Sequence, residues 1–218
     1  IVVTAIGIFD VLLDGRRISE DYFSPGFTDY EHNLQYCCYR IGELQEGDHE
    51  LFVTVAAGWA VGRTTNISNT NQSVSLLTAD RQALLAEWYI VYKDGSREVV
   101  STDGAYEVTA DGPYRYADFY DGEIYDARFK ETDWKWRKAD VITPDIHPMI
   151  EARYGEPVTG HEIFAPISCE EVYSGEKGET EIIYDFGQNL SGVVEFEADG
   201  EKGQIIRICH AEALEHGK

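Results

Sequence analysis

Four carboxylates crowd one stretch of this 218-residue chain: Asp118, Asp121, Glu123 and Asp126. Acid–base hydrolysis of an acetal bond demands two carboxyl groups, one to protonate the leaving oxygen and one to activate water. For inversion they stand about 6.5–9.5 Å apart. Asp121 and Glu123, two positions apart on an extended strand, would share a face at a separation of about 7 Å. Two facts weigh against a catalytic pair. The chain carries 40 Asp and Glu, so such spacings recur by chance. Asp121-Gly122 also has the form of a tight turn. No catalytic residue is assigned.

A second kind of chemistry is recognition of a sugar. An aromatic face lies against the C–H face of the ring, and planar polar groups take the hydroxyls. Trp59 stands between Gly58 and Gly62 with Arg63 close by, in a segment expected to be a loop. Trp59, Arg63, Asp29 and Glu123 are therefore the substrate-binding candidates. The alternative for Trp59 is a plug at the end of a sandwich.

Metal chemistry finds little support. Calcium takes six to eight oxygens, and residues 118–126 lack the D-x-[DN]-x-[DN]-G order of a calcium loop. Asn66–Asn71 offers amide oxygens without a carboxylate, and Asn66-Ile67-Ser68 is a nominal glycosylation sequence. No metal site and no cofactor are expected, with calcium alone left open. Cys37, Cys38, Cys169 and Cys209 show no zinc spacing. Adjacent strand residues point to opposite faces, so Cys37 and Cys38 are poor disulfide partners. Free, mostly buried thiols are expected, which favours a reducing, cytoplasmic compartment. Asp185-Phe186-Gly187 has no Gly-rich loop or HRD segment before it and carries no kinase reading.

The elements that must hold these residues are short strands. Asp-Gly occurs six times, at Asp14, Asp94, Asp103, Asp111, Asp121 and Asp199. Each supplies the positive φ that a tight reversal needs. Between them lie runs rich in β-branched and aromatic residues: Val2–Leu13, Leu51–Ala56, Trp88–Tyr92, Glu98–Ser101 and Tyr114–Phe119. Strands at about ten-residue spacing predict a β-sandwich or jelly roll. Residues 78–87 suit helix and strand equally. Pro144, Pro148 and Pro157 mark a linker over 141–158. Beyond it, Gly192–Ala198 and Gln204–His210 predict another hairpin, the start of a second domain.

The charge decides which partners to exclude. With 18 Lys and Arg against 40 Asp and Glu, the net charge is −22 and the pI about 4.5. Nucleic acid and anionic membranes are excluded, since both require a basic surface. Hydrophobic residues at 43% and aromatics at 12% exclude a disordered acidic tail. No apolar run reaches the roughly 18 residues of a membrane span. The opening run Ile1–Phe9 has no basic flank and is expected to be a strand rather than a signal peptide, within a chain already under way.

Several segments match a known pattern in fixed order. The first is Gly7–Ile18 with Asp14-Gly15, followed by Pro25-Gly26-Phe27-Thr28-Asp29-Tyr30 and Gly58-Trp59. Gly122-Glu123-Ile124-Tyr125-Asp126-Ala127-Arg128 comes later. Then come Asp185-Phe186-Gly187-Gln188-Asn189 with Gly192, and His210-Ala211-Glu212-Ala213-Leu214. This order resembles bacterial α-L-rhamnosidases, inverting glycoside hydrolases whose pattern runs NGxxV, PGWTDY, GDGWY, GExYDAR, DFGQNxxG and HAExL. Phe27 replaces the usual Trp, Asp14 the usual Asn, and Ala60-Val61-Gly62 the usual Tyr-x-Gly. The changes at Phe27 and Ala60 alter two aromatics that could stack on sugar.

The resemblance implies an all-β chain, with a jelly-roll (galactose-binding-like) β-sandwich over 1–140 and a linker over 141–158. The beginning of a second β-sandwich domain would follow over 159–218. It also implies a non-catalytic fragment, because the family's catalytic glutamates lie in a downstream (α/α)6 barrel. The implied partners are that barrel and terminal α-L-rhamnosides. A free-standing rhamnose-binding module is the alternative. The negative field is expected to favour small neutral rhamnosides over acidic polymers.

Overall fold

The computed structural model describes residues 1–62, 79–119, 121–172 and 181–213, with backbone alone for 65–67, 73–75, 173–174 and 179–180. In chain order the strands begin with β1 (Val2–Ile6), β2 (Ile8–Leu13), β3 (Arg16–Arg17), β4 (Asn33–Cys38) and β5 (Leu51–Ala56). A single helical turn, α1 (Gly58–Val61), separates β5 from β6 (Thr65–Ile67), β7 (Ser73–Ser75), β8 (Ala83–Val91) and β9 (Arg97–Ser101). The next are β10 (Glu107–Val108), β11 (Tyr114–Asp118), β12 (Gly122–Tyr125), β13 (Arg137–Lys138) and β14 (Met149–Ala152). The last two are β15 (Ser168–Ser174) and β16 (Glu179–Asp185). The described residues are all-β apart from α1 and a 3-10 turn at Glu131–Asp133. None of its described helices is long and apolar enough to cross a membrane.

Two compact units divide the chain, Ile1–Thr159 and Gly160–Lys218. The first holds a five-stranded sheet in the order β14-β4-β1-β8-β9 and a three-stranded sheet in the order β3-β2-β5. The expected long strand Val2–Leu13 is two strands, one in each sheet. Gly7 makes the switch at φ +128°, and a Cβ there would lie 2.3 Å from the Ala56 carbonyl oxygen. Only glycine lets the corner pass so close to β5. The core forms between the sheets: Val3 and Ala5 of β1, Cys37 of β4 and Ala86 of β8 meet Phe9 and Val11 of β2. A second cluster of Ile6, Tyr30, Leu34, Ala60, Ala79 and Ile146 forms against α1, with Trp59 packed on it.

Asp-Gly turns join β2 to β3, β8 to β9 and β11 to β12, as the dipeptides require. Asp103-Gly104 and Asp111-Gly112 lie in connections between strands, and Asp199-Gly200 in the irregular run after β16. Of residues 78–87, which local propensity left even between helix and strand, 83–87 join the expected strand from Trp88 to form β8, because β1 and β9 hydrogen-bond to it on both sides. The expected linker is partly sheet. Within 141–158, β14 pairs parallel to β4, and Arg153 binds Asp21 at 2.7 Å, so the prolines bound an edge strand of the first unit.

The second unit differs more. Its hairpin pairs β15 with β16, whereas the expected strands 192–198 and 204–210 are irregular, with Val193 and Ile205 exposed. Alternation alone does not hold a strand that has no paired neighbour, and a lone hairpin is marginal. The thiols are free, but only Cys37 is buried; Cys38, Cys169 and Cys209 are exposed. Cys37 and Cys38 follow the pleat of β4, one facing the core and one facing out.

Candidate functional site

Of the sequence candidates, Trp59 sits on α1. Gly62 ends that turn against β11, where an added Cβ would lie 2.6 Å from the Asp118 carboxylate. This close approach brings Phe119, just past β11, onto Trp59. The two rings stack at 3.9 Å between centroids with 14° between planes. Phe23 meets Trp59 edge-on at 6.0 Å and Phe119 at 5.1 Å. Phe27 meets Trp59 at 5.7 Å and Tyr30 at 6.0 Å, both edge-on. One face of the Trp59 indole is thus occupied by Phe119, and two further phenylalanines meet it at steep angles. Phe27 is the open member, 65% exposed.

Phe23 holds φ at +60°, a conformation that bulky residues seldom take. It is kept there by its neighbours: Ser24 bridges Phe9 of β2, and its carbonyl accepts the Phe9 N–H at 2.8 Å. The Ser24–Pro25 bond is cis. Residues 26–33 form a self-bonded turn. Tyr30 donates its hydroxyl to the Gly26 carbonyl at 3.0 Å, and burial pushes that phenol up to about 12. Thr28 donates to the Asn33 carbonyl at 2.8 Å. Asp29 closes the turn, its carboxylate accepting the Glu31 N–H at 3.3 Å and meeting His32 Nδ1 at 2.9 Å.

Asp29, Glu31 and His32 place one ligand atom each within 4.8 Å of one another, all exposed. Two carboxylates and an imidazole form a small open donor set. Calcium needs more oxygens than these three side chains supply.

The carboxylates of 118–126 do not form an opposed pair on one strand. Asp121 sits in the β11–β12 turn, where its N–H donates to Asp118 Oδ1 at 2.9 Å, so the assumed strand spacing to Glu123 does not apply. Glu123 lies exposed on β12, opposite Ala117. Arg128 binds Asp126 through two hydrogen bonds of 2.8 and 2.6 Å. Those bonds hold the Asp126 carboxyl down at about 2, the value of a permanent anion rather than a proton donor. Arg63 lies outside the described residues, as do the side chains of 66–71.

Trp59 and the Asp29 turn therefore border one aromatic cluster, and Glu123 stands on the hairpin that delivers Phe119 to it. Sequence reasoning missed Phe23 and Phe119. Neither stands in a periodic pattern, and their meeting depends on the glycine contacts at α1.

Residues 1–159 match the α-L-rhamnosidase N-terminal domain. The chain belongs to that family. Residues 175–218 match the bacterial α-L-rhamnosidase concanavalin-like domain. An α-L-rhamnosidase of Alteromonas sp. (strain LOR) is 31% identical over 225 residues, covering 99% of this chain and 23% of that protein. One from Streptomyces avermitilis is 31% identical over 220 residues, covering 97% and 20%. The chain spans between a fifth and a quarter of the length of these curated relatives. The crystal structure of the Streptomyces avermitilis α-L-rhamnosidase complexed with L-rhamnose superposes with a TM-score of 0.63 at 29% identity, covering 78% of this chain and 17% of that one. The Dictyoglumus thermophilum α-L-rhamnosidase shares the fold, with a TM-score of 0.67 at 23% identity over 86% of this chain and 20% of that one.

Proposed function

We propose that this chain is a non-catalytic N-terminal portion of an α-L-rhamnosidase that hydrolyses terminal α-L-rhamnose from glycosides. Its role is to frame the substrate and support a catalytic barrel elsewhere in the same polypeptide. Residues 160–218 begin a second β domain. The observation that carries this reading is the family match over 1–159 combined with the local fate of the carboxylates. Asp118 accepts the Asp121 N–H in the turn, the Asp121 carboxylate accepts the Tyr116 hydroxyl at 3.3 Å, and Asp126 is paired with Arg128. Small neutral rhamnosides suit its charge better than acidic polymers, and the free thiols suit a cytoplasmic setting.

The test is turnover of an aryl α-L-rhamnoside. The 218-residue chain is expected to be inactive, and a polypeptide extended to the length of its relatives active. Turnover by the short chain that is lost in Glu123→Gln would refute the proposal.

One observation favours a second reading, a rhamnose-binding module: the exposed Phe27 ring beside Trp59, with the Asp29 turn adjacent. Titration calorimetry with L-rhamnose, with and without calcium, decides it. Binding at millimolar or better affinity that is lost in Phe27→Ala supports the module, and a flat titration removes it.

A further inference from the structure

The two sheets of the first unit treat their outer faces differently. On the three-stranded sheet, the chain covers its own apolar side chain. Phe52 of β5 is met by Trp134 at 6.0 Å and Trp136 at 6.2 Å, both from the segment before β13. On the five-stranded sheet no such cover is seen among the described residues. Register puts Val2 beside Cys38 on one side and Glu87 on the other, with Leu85 opposite Thr4 and Tyr89 opposite Val99. Val2, Tyr36, Cys38, Leu85, Tyr89 and Ile150 line a shallow depression there. Leu85 is 48% exposed, Tyr89 55%, Val99 49% and Ile150 48%.

β8 shows why this is unusual. Its sequence, Ala-Leu-Leu-Ala-Glu-Trp-Tyr-Ile-Val, is apolar at both parities. A strand with one wet face alternates, and a near-continuous apolar run belongs to a strand covered on both faces. Ala86 and Trp88 face the core, but Leu85 and Tyr89 face outward.

We propose that this outward face docks a covalently tethered neighbouring domain of a rhamnosidase-length polypeptide, one presenting apolar side chains rimmed by cations. This rests on reading the chain as part of such a polypeptide. The size of the face selects the occupant. Five strands about 4.8 Å apart and roughly six residues long make a patch on the order of 500 Å². Counted on both sides, about 1,000 Å² falls in the range of contacts between domains of one chain. It falls short of the roughly 1,600 Å² of a standard free complex. A tether compensates, since it raises the local concentration of the partner to about millimolar. A second copy is opposed by charge, −22 against −22. Glu87, which accepts the Tyr89 hydroxyl in the middle of the face, calls for a cation across the contact.

Cys38 is a built-in reporter. It is an exposed free thiol on this face, while Cys169 and Cys209 are exposed in the second unit and Cys37 is buried. The test is alkylation by iodoacetamide, resolved by peptide, in the 218-residue chain and in the polypeptide extended to the length of its relatives. Cys38 is expected to react at least about tenfold more slowly in the longer form, as for a contact closed more than nine-tenths of the time. Leu85→Lys with Val99→Lys is expected to restore the rate. Deuterium exchange of β8 in the unsubstituted proteins gives the same readout without any variant.

Equal Cys38 rates in both forms overturn the proposal. So does a sedimenting dimer of the short chain with Cys38 protected, which would make a second copy the occupant. Rhamnoside turnover is scored separately. Activity with an open Cys38 removes the docking face and keeps the rhamnosidase reading; a protected Cys38 without activity does the reverse.

Discussion

Replacing Gly7 by Ala tests the corner on which the sandwich depends. Two costs add. An L side chain at φ +128° is strained by about 1–3 kcal/mol. The new Cβ would also sit 2.3 Å from the Ala56 carbonyl oxygen and 3.4 Å from its carbon. The clash sets a rigidly attached Cβ against main chain, beside the first register pair of β2 with β5, so no flexible side chain can yield. Relief requires bending the backbone or breaking the Ile8–Ala56 pairing, about 1–4 kcal/mol more. The expected total is about 2–7 kcal/mol.

Gly95→Ala is the matched control. Its φ is +87° in the β8–β9 turn, and no atom lies within 4 Å of the added Cβ. Only the backbone preference is lost there, about 1 kcal/mol. Thermal unfolding followed by circular dichroism should show Tm lowered by roughly 3 °C for Gly95→Ala and roughly 5–20 °C for Gly7→Ala. Equal shifts in the two variants would show that close approach to Ala56 does not govern Gly7.

His49 is expected to latch residues 40–50 in a pH-dependent way. Its Nδ1 meets Asp14 and its Nε2 the Gln45 carbonyl, both at 2.8 Å, so both ring nitrogens face acceptors. The Gln45 carbonyl first, then Asp14, raise its value above 6.5, with Asp48 adding to the effect. The Glu50 N–H and the imidazole hold Asp14 below 3.8. A raised folded value means the His49 contribution is complete below 6.5 and fades as pH rises through that value. The Asp14 contribution is complete above 3.8 and fades as pH falls through its own. Amide exchange in 40–50 should be slowest between these limits, and Asp14→Asn should lower the His49 titration seen by NMR; a His49 titrating below 6.5 would refute the latch. Arg153→Met should cost about 2–3 kcal/mol in denaturant melts, because Asp21, with its side chain only 11% exposed, loses its partner. A double-mutant cycle of Trp59→Leu and Phe119→Leu should return about 1 kcal/mol of coupling for the stacked pair; a value near zero would separate the rings energetically.

Local features were legible in the residues alone. Asp14-Gly15, Asp94-Gly95 and Asp121-Gly122 close hairpins because their backbone preferences act over four residues. The pleat of β4 set Cys37 and Cys38 on opposite faces for the same reason. The family was legible too, since its motifs are contiguous segments in fixed order. Features that depend on distant partners emerged only with the packed fold. Residues 83–87 became a strand through hydrogen bonds to β1, against a local propensity that was even. Residues 149–152 left the linker for the sheet through pairing with β4, more than a hundred positions earlier. Trp59 lost the open face a loop would have given it because the Gly62–Asp118 approach sets Phe119 upon it. Each of these outcomes joins residues far apart in sequence, and such contacts leave no periodic trace in either segment alone.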